Sequence, residues 1–296
     1  MTSVALARIR KTAAQTRRPK KTAKSAAYHA FMFALVALYL FPVAWAFSMS
    51  LRTNKNLFAV DQLIPHPITF EHYVNLFNAL PDIGQYFANT FEIAIIGTAA
   101  TLVTSSMAGY ALARLRFPGR NLYVVLVLLT LMIPAQTTLV PQYVVFRELG
   151  WTGTILPIVA TAFFGITLGN ALPTFFFRQF YLTLPAELEQ AAAVDGASRA
   201  RTFTAIIAPL TTPAYLAIGM LVFVQYYNSF FLNSVFVQRQ ENWTVTQALQ
   251  SLVGQYNSQY GEIMAGVTLV SLPMLVLYLF LQRWIIRGIA MTGNAN

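Results

Sequence analysis

The sequence predicts an all-α membrane protein with six transmembrane helices, cytoplasmic N- and C-termini, and a short cytoplasmic helix between helices 4 and 5. Three observations carry this. Hydrophobic residues fill 56% of the chain and charged residues only 10%, where soluble domains carry about a quarter charged. Six apolar stretches follow one another, each near the roughly 20 residues that cross a bilayer core as a helix. Lysine and arginine gather in alternate loops, the asymmetry that marks the cytoplasmic side.

Residues 1–27 read as a basic cytoplasmic tail with eight cations, Arg8, Arg10, Lys11, Arg17, Arg18, Lys20, Lys21 and Lys24. Followed by an apolar run and "AWA" at 44–46, the tail imitates a secretory signal with its cleavage site. The run is long for a signal and rich in bulky aromatics, so a retained first helix over 30–50 is expected. A mitochondrial-type presequence is the other processing reading; a tail that stays unfolded is the simpler account of the acid-free start.

The second span is expected over 87–112, with Arg114, Arg116 and Arg120 in the loop behind it, and the third over 122–146. The fourth, 155–177, is interrupted by Gly165, Gly169 and Pro173, which a span tolerates where neighbouring helices or water satisfy the freed backbone groups. The fifth and sixth are expected over 213–236 and 263–285. Arg178, Arg199, Arg201, Arg283 and Arg287 fall on the side of the N-terminal tail, and Arg52, Lys55, Arg147 and Arg239 on the other. The expected division is therefore 1–27, a transmembrane domain 28–286 containing a cytoplasmic loop 182–212, and a tail 287–296. The net charge of +10 follows from this topology. Its cations are spread over four inner segments without an aromatic-interleaved face, so no nucleic-acid partner is expected.

Enzyme chemistry finds no support. Without cysteine there is no thiol catalysis, disulfide or cysteine-ligated metal. His29 lies at the foot of the first helix, and His66 and His72 lie in the first outer loop at no metal-ligand spacing, so ordinary polar surface roles are expected for them. No catalytic residue and no metal site are assigned. Glu92 and Glu262 are candidates by position. Each is expected near the outer start of an inward-running helix, where the macrodipole favours negative charge, rather than in a mid-depth proton relay.

The segment "LEQAAAVDGASRARTFTAIIAPL" (188–210) is rich in small and charged residues within an otherwise apolar chain. Pro185 is expected in a first helical turn, Glu187 and Glu189 at the positive helix end, and Leu188, Gln190, Ala191 and Ala192 in the run behind them. Asp195 and Gly196 end the helix, glycine accepting the left-handed cap conformation. Ser198 is the expected N-cap of a second short helix reaching Ile207, before Pro209. Ala191, Ala192 and Ala193 have no bulk, so another surface can approach closely. A helix lying on lipid headgroups would need large apolar residues and a lysine-rich face, which this one lacks; docking to a cytoplasmic partner is the better physical reading.

Over nearly its whole length the chain resembles the integral membrane permeases of binding-protein-dependent ABC importers, closest to the carbohydrate-uptake, maltose-type branch. The hallmark is a cytoplasmic loop with Glu-Ala-Ala, then a Gly, an Ile and a Pro. Here these are Gln190-Ala191-Ala192, Gly196, Ile206 or Ile207, and Pro209. The phrases "MIPAQTTLVPQYVVFRELGWTGTILPIV" (132–159) and "FFFRQFYLTLPAELEQAAAVDGAS" (175–198) are similar to the family as well.

This resemblance implies that Pro185, Glu187, Leu188, Glu189, Gln190, Ala191, Ala192, Asp195 and Gly196 form a coupling element seated in a cytoplasmic ATPase. It implies as partners a sister permease subunit, two cytoplasmic ATPase subunits and an extracytoplasmic solute-binding protein, in a bacterial or archaeal cytoplasmic membrane. No Walker motif is present, so ATP and Mg belong to the ATPase and this chain binds no cofactor. Three departures stand out: Gln190 replaces the motif's acid, leaving Glu187 or Glu189 to make any ion pair; Tyr227-Asn228 and Asn233-Ser234 replace the usual Trp-Asn and Pro-Leu; and "GIAMTGNAN" lacks the common Gly-rich basic ending.

For the solute path the candidates are Gln225, Tyr226, Tyr227, Asn228 and Asn233, since sugars are held by aromatic faces and amide groups. The same residues are equally suited to bridging helices, and both readings stand. "GQYNSQY" (254–260) and "SQYGEIMAG" (258–266) are candidates for an outer vestibule or a solvated loop. Two other classes stay open: a stand-alone carrier or channel, for which internal repeats and mid-depth ionisable residues are expected, and a structural membrane protein holding a different cytoplasmic partner.

Overall fold

The computed structural model describes residues 20–59, 63–164, 170–254 and 259–293, among which every regular element is helical. Among the described residues three single helices are long and apolar enough to cross a membrane: α1 (Lys20–Ser50), α3 (Ile83–Arg114) and the last, Tyr260–Gly293, named α14 below. α2 (Glu71–Ala79) lies in the loop between the first two. α1 begins inside the stretch read as an N-terminal tail, and α14 continues through most of the C-terminal one.

The third apolar stretch is not one helix. It divides into α4 (Arg120–Thr130) and α5 (Leu139–Glu148), and the two halves are bent by 100°. Pro134 sits at the break. Its ring disfavours the helical region for Ile133 and it has no N–H to donate. In the fourth stretch the described residues form α6 (Leu156–Phe164) and α7 (Ala171–Thr183). Gly165 and Gly169, expected to interrupt it, lie outside the described residues. Pro173 sits in the first turn of α7, where a missing N–H costs least.

α8 (Glu187–Val194) is the expected short helix, beginning two residues later than Pro185. α9 (Arg199–Thr202) follows, and its helical path does not stop at Ile207. A wide turn, Phe203–Ile207, carries it into α10 (Ala208–Leu210), with the Ala208 N–H bonded to the Phe203 carbonyl. Pro209 is thereby accommodated near a helix start. The bend falls instead at Thr211, where Arg199–Leu210 meets α11 (Thr212–Tyr227) at 77°. A straight helix would drive the Pro213 ring into the Pro209 carbonyl. Thr211 is fully buried and its hydroxyl donates to the Ile207 and Ala208 carbonyls at 3.1 and 2.8 Å. The expected fifth span also breaks before α12 (Phe231–Phe236); α13 (Val245–Gln250), closed by a Thr244/Gln247 capping box, and α14 complete the chain.

α3 is the axis of the molecule, packing against α7, α11 and α6. Small residues allow this, as between membrane helices generally. A Cβ on Gly109 would lie 2.8 Å from the Phe177 Cβ and 2.9 Å from the Arg178 nitrogen, and one on Gly97 would lie 2.9 Å from the Tyr226 ring. One cluster joins Tyr110, Phe177, Tyr181, Ile207, Ala214 and Ile218, and another joins Leu76, Ile83, Tyr86, Val245, Leu249 and Ala265. α1 packs along α14 and otherwise leaves large apolar side chains such as Phe33, Leu38 and Tyr39 exposed, as a lipid- or partner-facing helix does.

His72 corrects an expectation. It is not a surface residue but wholly buried, with its Nδ1 3.4 Å from Glu262 Oε1, to which Asn75 also donates at 3.3 Å. Gly261 leaves the space the imidazole occupies. Glu262 thus fastens α2 to the start of α14. Glu92 lies nine residues into α3, deeper than the expected helix end, and is exposed. Arg52 is 1% exposed, yet its guanidinium donates to Ser48, Leu57 and Ala59 and stacks 4.5 Å over Trp45, placing a cation at the negative end of α1.

Candidate functional site

Two places bring the predicted residues together. The first is α8. Its sequence ELEQAAAV favours helix because alanine, glutamate, glutamine and leucine head the propensity scale. The C-terminus closes as foreseen: Gly196 has φ of 75°, its N–H bonds to the Ala193 carbonyl and the Ala197 N–H to the Ala192 carbonyl at 2.9 Å. This is the paired pattern of a Schellman cap. Ser198 then caps α9, accepting from the Arg201 N–H at 3.3 Å.

The helix has two faces. Leu188, Glu189 and Ala192 turn toward the chain's own body, Ala192 being 3% exposed. Glu187, Gln190, Ala191 and Val194 turn outward, at the i, i+3, i+4, i+7 spacing of one helical stripe, and Val194 is 88% exposed. The three alanines therefore do not act alike: Ala192 is packing, and Ala191 is available surface.

Glu189 is held from below. Its Oε1 lies 3.6 Å from Arg114 Nε at the end of α3. The same guanidinium donates to the Tyr181 carbonyl at 2.6 Å, which also accepts from the Leu184 N–H, and to the Leu184 carbonyl just beyond the end of α7. One side chain thus ties α3, α7 and α8 into a unit. Of the two acids offered as substitutes for the one missing at Gln190, Glu189 is already engaged; Glu187 is the one turned outward. Arg114, read from sequence only as a topology marker, is the residue sequence reasoning missed here. Its position four residues before Pro118 and after a long helix carries no signal of that contact.

The second place is a cavity of about 110 Å³ between α3, α5, α6 and α11. Gln225 and Tyr226 line it, joined by Thr138, Gln142, Thr161, Asn170 and Ser229. The Tyr226 hydroxyl lies 3.1 Å from Thr101 Oγ1, which donates to Asn170 Oδ1 at 3.3 Å. Asn170 is fixed by donating to the Ala162 carbonyl at 2.8 Å and to Thr104 at 3.3 Å. The other three candidates are placed elsewhere. Tyr227 is buried and donates to the Val270 carbonyl at 2.9 Å, bridging α11 to α14. Asn233 is buried and donates to the Ser229 carbonyl at 2.5 Å and to Thr244 at 3.5 Å. Asn228 is exposed at the end of α11. Asn170, Thr138 and Gln142 were not foreseen, because they come from the third and fourth apolar stretches rather than from one polar run.

At about 110 Å³ the cavity is well below the roughly 300–1,000 Å³ of small-molecule sites; it has room for a few waters, and a sugar ring enters only if α5 and α11 separate. Its wall offers hydroxyl and amide groups and the rings of Tyr226 and Phe236, without a charge. That donor set suits neutral hydroxyl-rich solutes.

Residues 102–291 match the family described as binding-protein-dependent transport system inner membrane component. The chain is similar to the arabinooligosaccharides transport system permease protein AraQ of Bacillus subtilis (strain 168), 32% identical over 89% of this chain and 93% of the relative. It is also similar to the trehalose transport system permease protein SugB of Mycobacterium tuberculosis (strain CDC 1551 / Oshkosh), 32% identical over 90% and 97%, and to the sn-glycerol-3-phosphate transport system permease protein UgpE of Yersinia enterocolitica, 30% identical over 88% and 94%. The crystal structure of a bacterial ABC transporter involved in import of the acidic polysaccharide alginate contains a chain with the same fold, at TM-score 0.76 and 20% identity, over 90% of this chain and 98% of that one.

Proposed function

The chain belongs to the family of inner membrane components of binding-protein-dependent transport systems, and from that premise we propose that it forms half of the translocation path of an ATP-driven importer for a neutral sugar. The family match together with sugar-transport relatives of nearly the same length supports the reading. The uncharged hydroxyl and amide lining around Gln225 and Tyr226 favours a neutral solute over a phosphorylated or acidic one.

In this reading six spans cross a bacterial or archaeal cytoplasmic membrane with both termini inside, the bent α4/α5 pair and the α6/α7 pair each serving as one span. The outward stripe of α8 seats in one of two ATPase subunits that hold ATP and Mg. A sister permease supplies the other half of the path, and an extracytoplasmic binding protein delivers the solute. Closure of the ATPase pair moves α8, and through Arg114 the inner ends of α3 and α7 move with it. The cavity between α5 and α11 then opens to one side and afterwards to the other.

Affinity purification of the tagged chain from its native membrane in mild detergent, followed by mass spectrometry, tests this. A second permease, an ATPase and a solute-binding protein are expected to accompany it. A chain that emerges alone, or only with copies of itself, would return the stand-alone carrier to first place. Within the same complex, Gln225→Leu is expected to raise the apparent KM for uptake about five- to tenfold, the loss of one neutral hydrogen bond of about 1 kcal/mol, with copurification unchanged. An unaltered KM would remove Gln225 from the path.

A further inference from the structure

A second, larger hollow lies beside the solute-path cavity and shares Asn170 with it. Between α3 and α4, toward their shared loop, lies an open groove of about 930 Å³ whose wall is predominantly apolar, with Met107, Ala111, Tyr123, Leu126, Val127 and Phe163 along it. Met107, Tyr123, Leu126 and Phe163 are each well exposed. The groove's end meets a smaller basin of about 430 Å³ lined by Arg116, Arg120 and Asn121, with Phe117 belonging to both. The turn that joins them depends on Gly119, whose φ of 81° few other residues adopt.

The two arginines differ from their neighbour. Arg114 is taken up by Glu189 and two carbonyls, whereas among the described residues neither Arg116 nor Arg120 has a carboxylate within ion-pair distance. One turn beyond Thr174, which lines the groove, Arg178 has a buried Nε without a hydrogen-bond partner. An apolar trough running into an uncompensated basic basin is complementary to one chemistry: an acyl chain joined to an anionic headgroup.

We infer that this groove and basin bind an anionic phospholipid, its acyl chain along Leu126 and Val127 and its phosphate between Arg116 and Arg120. Basic pockets between membrane helices on the cytoplasmic side take such headgroups. The lipid covers apolar surface beside α3 and neutralises the loop that precedes α4. The inference rests on the proposed topology only for the leaflet from which the lipid comes.

Native mass spectrometry of the full chain, in the complex with which it copurifies, is to be run in detergent with added phosphatidylglycerol or phosphatidylcholine at equal concentrations. Detergent has no leaflets, so a wrong topology does not disturb the result. Phosphatidylglycerol is expected to bind about thirtyfold more tightly, roughly fivefold for each arginine. R116Q/R120Q abolishes that preference and leaves phosphatidylcholine unchanged, and Leu126→Trp, which fills the groove, weakens both. Equal retention of the two lipids by the unaltered chain overturns the inference, as does a preference that survives the double substitution. If the double variant does not purify, Leu126→Trp decides: unchanged phosphatidylglycerol retention overturns it. A cross-link from Leu126→Cys to a second permease rather than to a photoreactive lipid also overturns it, because the groove is then a protein interface.

Discussion

Ala191→Arg leaves a folded chain in the membrane that no longer takes up its solute and no longer carries the ATPase through purification. Ala191 is exposed, on the stripe with Glu187, Gln190 and Val194, so a long side chain there meets nothing of its own molecule. Against a partner surface fitted to a methyl group, it must either hold the surfaces apart or bury a guanidinium without a counter-charge. Either outcome costs roughly 3 kcal/mol or more, about a hundredfold in affinity. Ala192→Arg is the contrast. With Ala192 3% exposed against its own chain, that variant lowers the thermal stability of the purified protein, which Ala191→Arg does not. Normal uptake by Ala191→Arg would remove α8 from any contact with an ATPase.

Arg114→Ala uncouples rather than detaches. It removes a charged donor from the carbonyls of Tyr181 and Leu184 and the partner from Glu189, all in a half-buried setting. Hydrogen bonds to a charged group contribute about 1.5–3 kcal/mol each, and part of that loss is recovered by water at the rim. A net cost of about 3 kcal/mol in the local unit of α3, α7 and α8 is expected. The outward stripe of α8 is untouched, so the ATPase still copurifies and still hydrolyses ATP. The solute moved per ATP falls, by about tenfold or more. Arg114→Lys restores only a part, since an ammonium lacks the planar fork that reaches two carbonyls and a carboxylate together. Uptake per ATP equal to that of the unaltered chain would mean that α8 transmits its motion by another route.

The all-helical character, the approximate places of the apolar stretches, the C-terminal end of α8 and the start of α9 were legible because each is local. Composition, a glycine that must take positive φ and a serine at a helix start act within a few residues. What was not legible depends on the third dimension. The 100° break at Pro134 lies inside an apolar run that hydropathy alone reads as continuous. The burial of His72 follows from a gap left by Gly261, far away in sequence. The division of Ala191 from Ala192 depends on which side of α8 meets the body, and three alanines in a row carry no signal of that. Among the five residues proposed along the solute path, Gln225 and Tyr226 line a cavity, while Tyr227 and Asn233 are taken up in helix bridging. Both readings of that polar run therefore apply, to different members of it.

Seating of the outward stripe of α8 in an ATPase is tested most directly by a cross-link. The chain contains no cysteine, so Val194→Cys, at a position 88% exposed, introduces a single thiol there. A short thiol-to-amine cross-linker is to be applied to the complex in native membranes, and the products identified by mass spectrometry. A covalent adduct between this chain and a cytoplasmic ATPase subunit, lost when Ala191→Arg is added, is the predicted result. A thiol that stays free to small reagents while the complex is intact, or that links only to lipid or to another copy of this chain, contradicts the claim.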